Sequence, residues 1–408
     1  MFAARFTRRP LALAAFLAVP LATAGVLSTP ASAQDADRDA ELAARRAELD
    51  ARYAFGPTAA RSLGYRIGWQ TTIGAPIVRF DVFAGDVYAL DAGNRLTRVD
   101  RATGSQVWTV TACDANDRVW GVTPGLPPYD ALPWGQNDGD RLYVTTDPVV
   151  FEIDHATGAV VGRQDLEKIP STDVTRYGSY LIFGTRGGQV VWHQYLVGQE
   201  WRANQLLGPI VATPTMVGTD SIAVASQGGT VLLLDAKSAG RMWGDNVFDG
   251  VSAPLTAGGG RVFVAGEDQY LWAFDARTGR VAWRYFTESP LDTQPVHAIA
   301  TVDGSPRGVV LQWVESEGLV CLEADPGDTI EGKIIWRLPD ARGTAIGRIG
   351  DGVVLWDGDA RVLRVIDAGL GAVSRQVDLP QVKDVRMIGD VIYANADDGR
   401  LLRLDPVR

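Results

Sequence analysis

From residue 63 onward one short unit recurs, and its recurrence restricts the fold more than any other property of the chain. One copy holds the β-rich runs Arg261, Val262, Phe263, Val264, Ala265 and Tyr270, Leu271, Trp272, Ala273, Phe274, Asp275, followed by Thr278, Gly279 and Trp283. The two runs are separated by a polar turn, a second turn follows the acid, and a third run carries the tryptophan. The residue closing the second run recurs as Asp100, Asp154, His193, Asp235, Asp275, Glu323, Asp367 and Asp405, at spacings of 54, 39, 42, 40, 48, 44 and 38 residues. A period of about 40–45 residues is that of a four-stranded propeller blade, so the chain is expected to be all-β, an eight-bladed β-propeller of antiparallel blades.

The tryptophans sharpen the count. Trp108, Trp201, Trp243 and Trp283 each stand eight residues after a marker, and Trp336 stands thirteen after Glu323 because the turn there is longer. Gly162 and Arg375 replace Trp in two copies. Asp405 has no room for a following strand, but the stretch before Trp69 has the form of an outer strand. The N-terminal strand is therefore expected to complete the last blade and close the ring, which removes the unpaired edge of an open array. An Asp at a strand end can accept hydrogen bonds from backbone N–H groups just ahead, and Gly104, Gly158, Gly279 or Gly371 can take the positive φ that finishes the turn. Pro76, Pro133, Pro214, Pro254 and Pro295 fall where each first strand is expected to begin, a position along the channel where proline is tolerated.

Asp-x-x-Thr-Gly-x-x-x-Trp, as in Asp100 to Trp108 and Asp275 to Trp283, resembles the tryptophan-docking repeat of the quinoprotein (PQQ-like) β-propellers. The resemblance covers residues 63–408. It implies either a quinone-dependent dehydrogenase or a cofactor-free ring that binds proteins. The alcohol enzymes of the family are longer and carry a vicinal Cys pair, whereas Cys113 and Cys321 here stand far apart. In length and blade count the chain resembles the propeller scaffold lipoproteins of the outer-membrane β-barrel assembly machinery. The expectation is thus a non-enzymatic scaffold without cofactor or metal, possessing protein partners in the cell envelope. A periplasmic quinoprotein-type oxidoreductase and a glycan- or small-ligand-binding propeller are the alternatives.

The first residues read as an address. Arg5, Arg8 and Arg9 precede an apolar stretch over 11–27, and Ala31, Ser32 and Ala33 form a small-residue cleavage site, so residues 1–33 are expected to be a secretory signal. Gln34 follows where a lipoprotein would carry Cys, which points to a soluble exported or periplasmic protein without a transmembrane span in its mature form, a monomeric ring. Residues 34–62 are rich in Ala, Glu and Arg, with acids early and arginines late, and read as a solvated helix or linker before the 63–408 ring. A net charge of −10 argues against a nucleic-acid partner.

Few residues invite chemistry. His155 and His193 stand in blade turns, His297 stands near an inner strand, and none lies beside a nucleophile in the sequence. The segment 111–130 breaks the repeat and reads as a long connection between the first two blades, either a binding loop or a plug over the channel mouth. Trp120 and Tyr129 within it are aromatic and lie outside the tryptophan positions of the repeat, which makes them the candidate partner-binding residues. Asp100, Trp108, Trp201, Asp235, Trp243, Asp275, Trp283, Trp336 and Trp69 are expected to be structural.

Overall fold

The computed structural model describes residues 31–83, 85–125 and 140–407. The expected signal segment, 1–33, lies almost wholly outside them. Two units divide at residues 48 and 49. The helix α1 (Ala31–Arg52) runs across that division; its described side chains are exposed as far as Leu49, and Arg45 pairs with Glu41 one turn away at 2.8 Å. The second unit begins at Leu49, whereas the repeat alone placed the boundary at residue 63. Phe55, Ala60 and Leu63, around the short helix α2 (Pro57–Ser62), are buried against Val377, Leu379 and Met387 of the strands that follow. The Gln70 amide oxygen accepts from the Ala54 N–H at 3.0 Å, so part of the presumed linker belongs to the core.

The described strands form eight four-stranded antiparallel sheets. In chain order the blades span 77–111, 119–165, 175–205, 215–246, 256–286, 296–338, 344–378 and 382–406. The eighth takes Tyr65–Thr72 as its outer strand, paired along Arg400–Pro406 in the register Tyr65 to Pro406. The ring is closed by the two ends of the chain. In the fourth and fifth blades the second and third strands are apolar on both faces because each blade is sandwiched between neighbours. Val262, Phe263, Val264 and Ala265 are all buried, as are Val231, Leu232, Leu233 and Leu234. Pro76, Pro214 and Pro295 directly precede inner strands, and Pro254 stands two residues before one. Pro133 lies outside the described residues, and its blade's inner strand is already Val119–Pro124.

What locks one blade to the next is one repeated hydrogen bond. The indole N–H of Trp69 donates to the Arg101 carbonyl (3.0 Å), Trp108 to His155 (2.9 Å), Trp243 to Ala276 (2.9 Å), Trp283 to Ala324 (3.0 Å) and Trp336 to Ala368 (2.9 Å). Each acceptor is the residue after a marker acid in the following blade. Asp275 holds that turn open with Oδ1, accepting the Thr278 N–H and hydroxyl at 2.8 Å each. Asp100, Asp154 and Asp235 do the same, and these bonds hold all four carboxyls below their usual range. Gly279 then takes φ +74, and a Cβ there would fall 2.7 Å from the Trp243 ring, so the turn glycine is also the floor on which the indole lies.

Trp201 departs from this scheme. It is 39% exposed, stacks on Tyr180 at 5.0 Å, and lies against Arg202. The reason is a shift of one residue. The turn closes on Gln194, whose carbonyl accepts the Gly198 N–H as Asp100 accepts Gly104, so the marker of this blade is Gln194 rather than His193. A side chain one position away lies on the opposite face of a strand. Trp192 of the third strand docks instead, donating to the Ala236 carbonyl at 2.9 Å. The two seams without tryptophan are held by other donors: Arg375 reaches the Leu63 carbonyl (2.8 Å) and Gln164 the Tyr195 carbonyl (2.5 Å).

Candidate functional site

The sequence candidates separate. Trp120 lies on the inner strand Val119–Pro124 of the second blade, only 7% exposed. Its indole N–H donates to Asp147 at 2.7 Å and the Arg118 guanidinium covers its ring at 3.8 Å. It is a packed wall residue, not an exposed anchor. Tyr129 lies outside the described residues. The expected insertion is also relocated: 112–118 is an ordinary connection between blades, and the extra length falls at 125–140, between the inner and second strands of the second blade.

The remaining polar candidates are built into the fold. Cys113 and Cys321 are buried and unpaired, and burial raises the thiol pKa of both, to about 12 for Cys113. His155 meets Asp86 at 3.0 Å, and His297 stacks on Phe263 of the neighbouring blade. His193 is buried beside Gln164 (2.9 Å), and burial pushes its pKa down to about 4. Along the inner strands, Arg79 bridges Asp81 (2.7 Å) and Asp173 (3.1 Å), and Arg386 bridges Asp81 (3.2 Å) and Asp384 (3.4 Å), a chain of matched charges. Among the described residues no group of three or more His, Cys, Asp or Glu side chains is placed to hold a metal ion.

A different cluster has the properties of a binding surface. Phe248 stands just after the outer strand Arg241–Asn246 of the fourth blade and is 70% exposed. The residue before it, Val247, is buried and its N–H bonds the Gly229 carbonyl, which turns the next side chain outward. The Phe248 ring stands edge-on to Trp272 (5.1 Å) and Tyr270 (6.2 Å) of the fifth blade. Tyr270 in turn contacts Phe286 at 5.1 Å, itself 49% exposed on the outer strand Val281–Phe286. Arg284, paired across the strands with Trp272, places its guanidinium 5.5, 5.0 and 5.3 Å from the Phe248, Tyr270 and Trp272 centroids. Asp268 fixes the base of the cluster, accepting from the Trp272 indole (2.9 Å) and the Phe248 N–H (2.9 Å).

One blade earlier the same inter-blade position carries Leu207, also 70% exposed, after the buried Leu206. Large apolar side chains turned to solvent at equivalent places on adjoining blades, over a rigid aromatic base, are the composition of a protein contact rather than of a reaction centre. Nothing in the strand repeat marks Phe248 or Leu207. Their signal is their matching offset after two successive outer strands.

The family described as outer membrane protein assembly factor BamB matches residues 92–183 and 176–407. No curated protein matches the sequence. Among solved structures, the crystal structure of BamB from Moraxella catarrhalis superposes with a TM-score of 0.63 at 15% identity, covering 84% of this chain and 99% of that one. The computationally designed Ika8 protein superposes with a TM-score of 0.60 at 14% identity, covering 81% and 96%. Those structures share the fold. With its tryptophan-docked ring and a family match spanning most of its length, the chain belongs to the outer membrane protein assembly factor BamB family.

Proposed function

We propose that this protein is an exported, non-enzymatic scaffold of the cell envelope that binds a partner protein through the Phe248 and Arg284 surface and serves outer-membrane protein assembly. The observation that carries this reading is the exposed cluster itself: two half- to mostly exposed phenylalanines held by edge contacts to Tyr270 and Trp272. Rigid aromatic side chains lose little entropy on binding, and interface energy concentrates in such anchors. The family assignment supports the assembly role, and the arginine-led apolar start of the sequence supports export. No helix of the described residues is long and apolar enough to cross a membrane.

The test is recovery of outer-membrane assembly proteins from envelope extracts on the immobilised mature chain. The unaltered protein is expected to recover them, and the double variant Phe248→Ala with Phe286→Ala to recover several-fold less at an unchanged melting temperature. Equal recovery by the variant would overturn the assigned surface. Heat-labile oxidation of alcohols or sugars on addition of quinone and calcium would overturn the non-enzymatic reading.

A further inference from the structure

We propose that Arg284 is a carboxylate-binding position, and that the partner segment lying on this surface presents an acidic side chain beside an apolar one. The inference rests on the scaffold reading and specifies the chemistry of its partner. The Arg284 guanidinium touches three aromatic rings, yet among the described residues no carboxylate lies within ion-pair distance of it and its side chain donates no hydrogen bond. Arg79, Arg95, Arg261, Arg337, Arg364, Arg386 and Arg403 pair with carboxylates, whereas Arg284, like Arg118 over Trp120, has ring contacts in place of an ion pair. Two acids stand nearby: Asp268 is occupied by the Trp272 indole and by the Phe248 and Tyr270 N–H groups, and Glu331, which faces Arg284 across a parallel backbone bridge, is exposed and makes no ion pair with it.

The side chain is also prepared for the task. Rings occupy the guanidinium's surroundings as cation–π partners and weaken its hydration, while its N–H donors keep the fork geometry that matches a carboxylate. The backbone is fixed on both sides: the Arg284 N–H donates to Ile330 and its carbonyl accepts from Gly332, each at 2.9 Å, a parallel bridge from the next blade. Ile330, Phe248 and Phe286 are exposed around it, so a carboxylate arriving here brings apolar neighbours into contact. One guanidinium on a net acidic chain does not attract a polyanion, which favours a single peptide carboxylate over a nucleic acid.

The experiment titrates the full mature chain with two peptides, acetyl-Phe-Glu-Leu-amide and acetyl-Phe-Gln-Leu-amide, by calorimetry or ligand-observed NMR. The Glu peptide is expected to bind about tenfold more tightly, the size of one charged hydrogen-bonding contact. The preference should vanish in Arg284→Met and shrink in Arg284→Lys, while Phe248→Ala weakens both peptides alike. Equal binding of the two peptides, a preference that survives Arg284→Met, or no binding of either at millimolar concentration would overturn the proposal. Partner recovery that depends on Phe248 without a Glu preference would retain the scaffold and sink only this inference; a Glu preference without partner recovery would do the reverse.

Discussion

The amide of Gln164 donates to the Tyr195 carbonyl at 2.5 Å and so occupies, between the second and third blades, the place an indole holds at six other seams. The substitution changes what the seam is made of. Gln164 also donates to Glu152 at 2.8 Å and accepts from His193 at 2.9 Å, so a polar network replaces a buried ring. Glu200, paired with His193 across the strands, has a buried carboxylate oxygen without a partner.

Gln164→Ala is expected to destabilise the ring by about 1–3 kcal/mol, because it strands the carboxylate of Glu152 and the imidazole of His193. A lower urea midpoint at pH 7 with an unchanged slope would confirm it; an unchanged midpoint would show that the network adds nothing.

The two tryptophans of the third blade should behave oppositely. Trp192→Ala removes a fully buried ring and its bond to Ala236 and should cost about 3–5 kcal/mol. Trp201→Ala removes a ring outside the seam and should cost under about 1 kcal/mol. Equal losses of melting temperature would contradict the shifted register.

His193 predicts a pH dependence. Its folded pKa, pushed down to about 4 by burial, lies below the unfolded value of about 6.5, so the unfolded chain binds the extra proton. Its contribution is complete above about pH 6.5 and is lost as pH falls towards 4, by about 3 kcal/mol if the whole shift is expressed. His193→Gln should flatten the stability curve between those limits. A slope identical to that of the unaltered protein would exclude His193 as its source.

Truncation tests the start of the packed unit. Removing residues 34–48 should leave the melting temperature unchanged, while removing 34–62 uncovers the apolar face of Val377, Leu379 and Met387 and should lower it by many degrees. If both truncations melt alike, Phe55 and Ala60 do not support the ring.

Much of this fold is legible in the residues. The marker acids, the turn glycines and five of the six named tryptophans stand where the repeat puts them, because each serves a local geometry that spacing reveals. Trp201 misleads because His193 and Gln194 both precede a turn, and only the bond from Gly198 distinguishes them. The inner strand Val119–Pro124 is hidden by its own Gly121 and Pro124, which read as turn residues. The binding surface is hidden for a different reason. Tyr270 and Trp272 read as core on their strand, and their role depends on Arg284 and Phe286 across the sheet and on Phe248 from another blade. Linear periodicity cannot register that convergence.

Because Tyr65 pairs with Pro406, the first strand made must wait for the last. Until the last strand is in place, Tyr65–Thr72 has no strand to pair with and the first blade leaves bare the face lined by Phe80, Val87 and Ala89, which in the finished ring packs against Trp69 and Tyr393. Contacts so distant in sequence form slowly, and unpaired strand edges invite association with other chains. The step most open to misassembly is therefore ring closure, when that apolar face and the free edge of Tyr65–Thr72 are covered together.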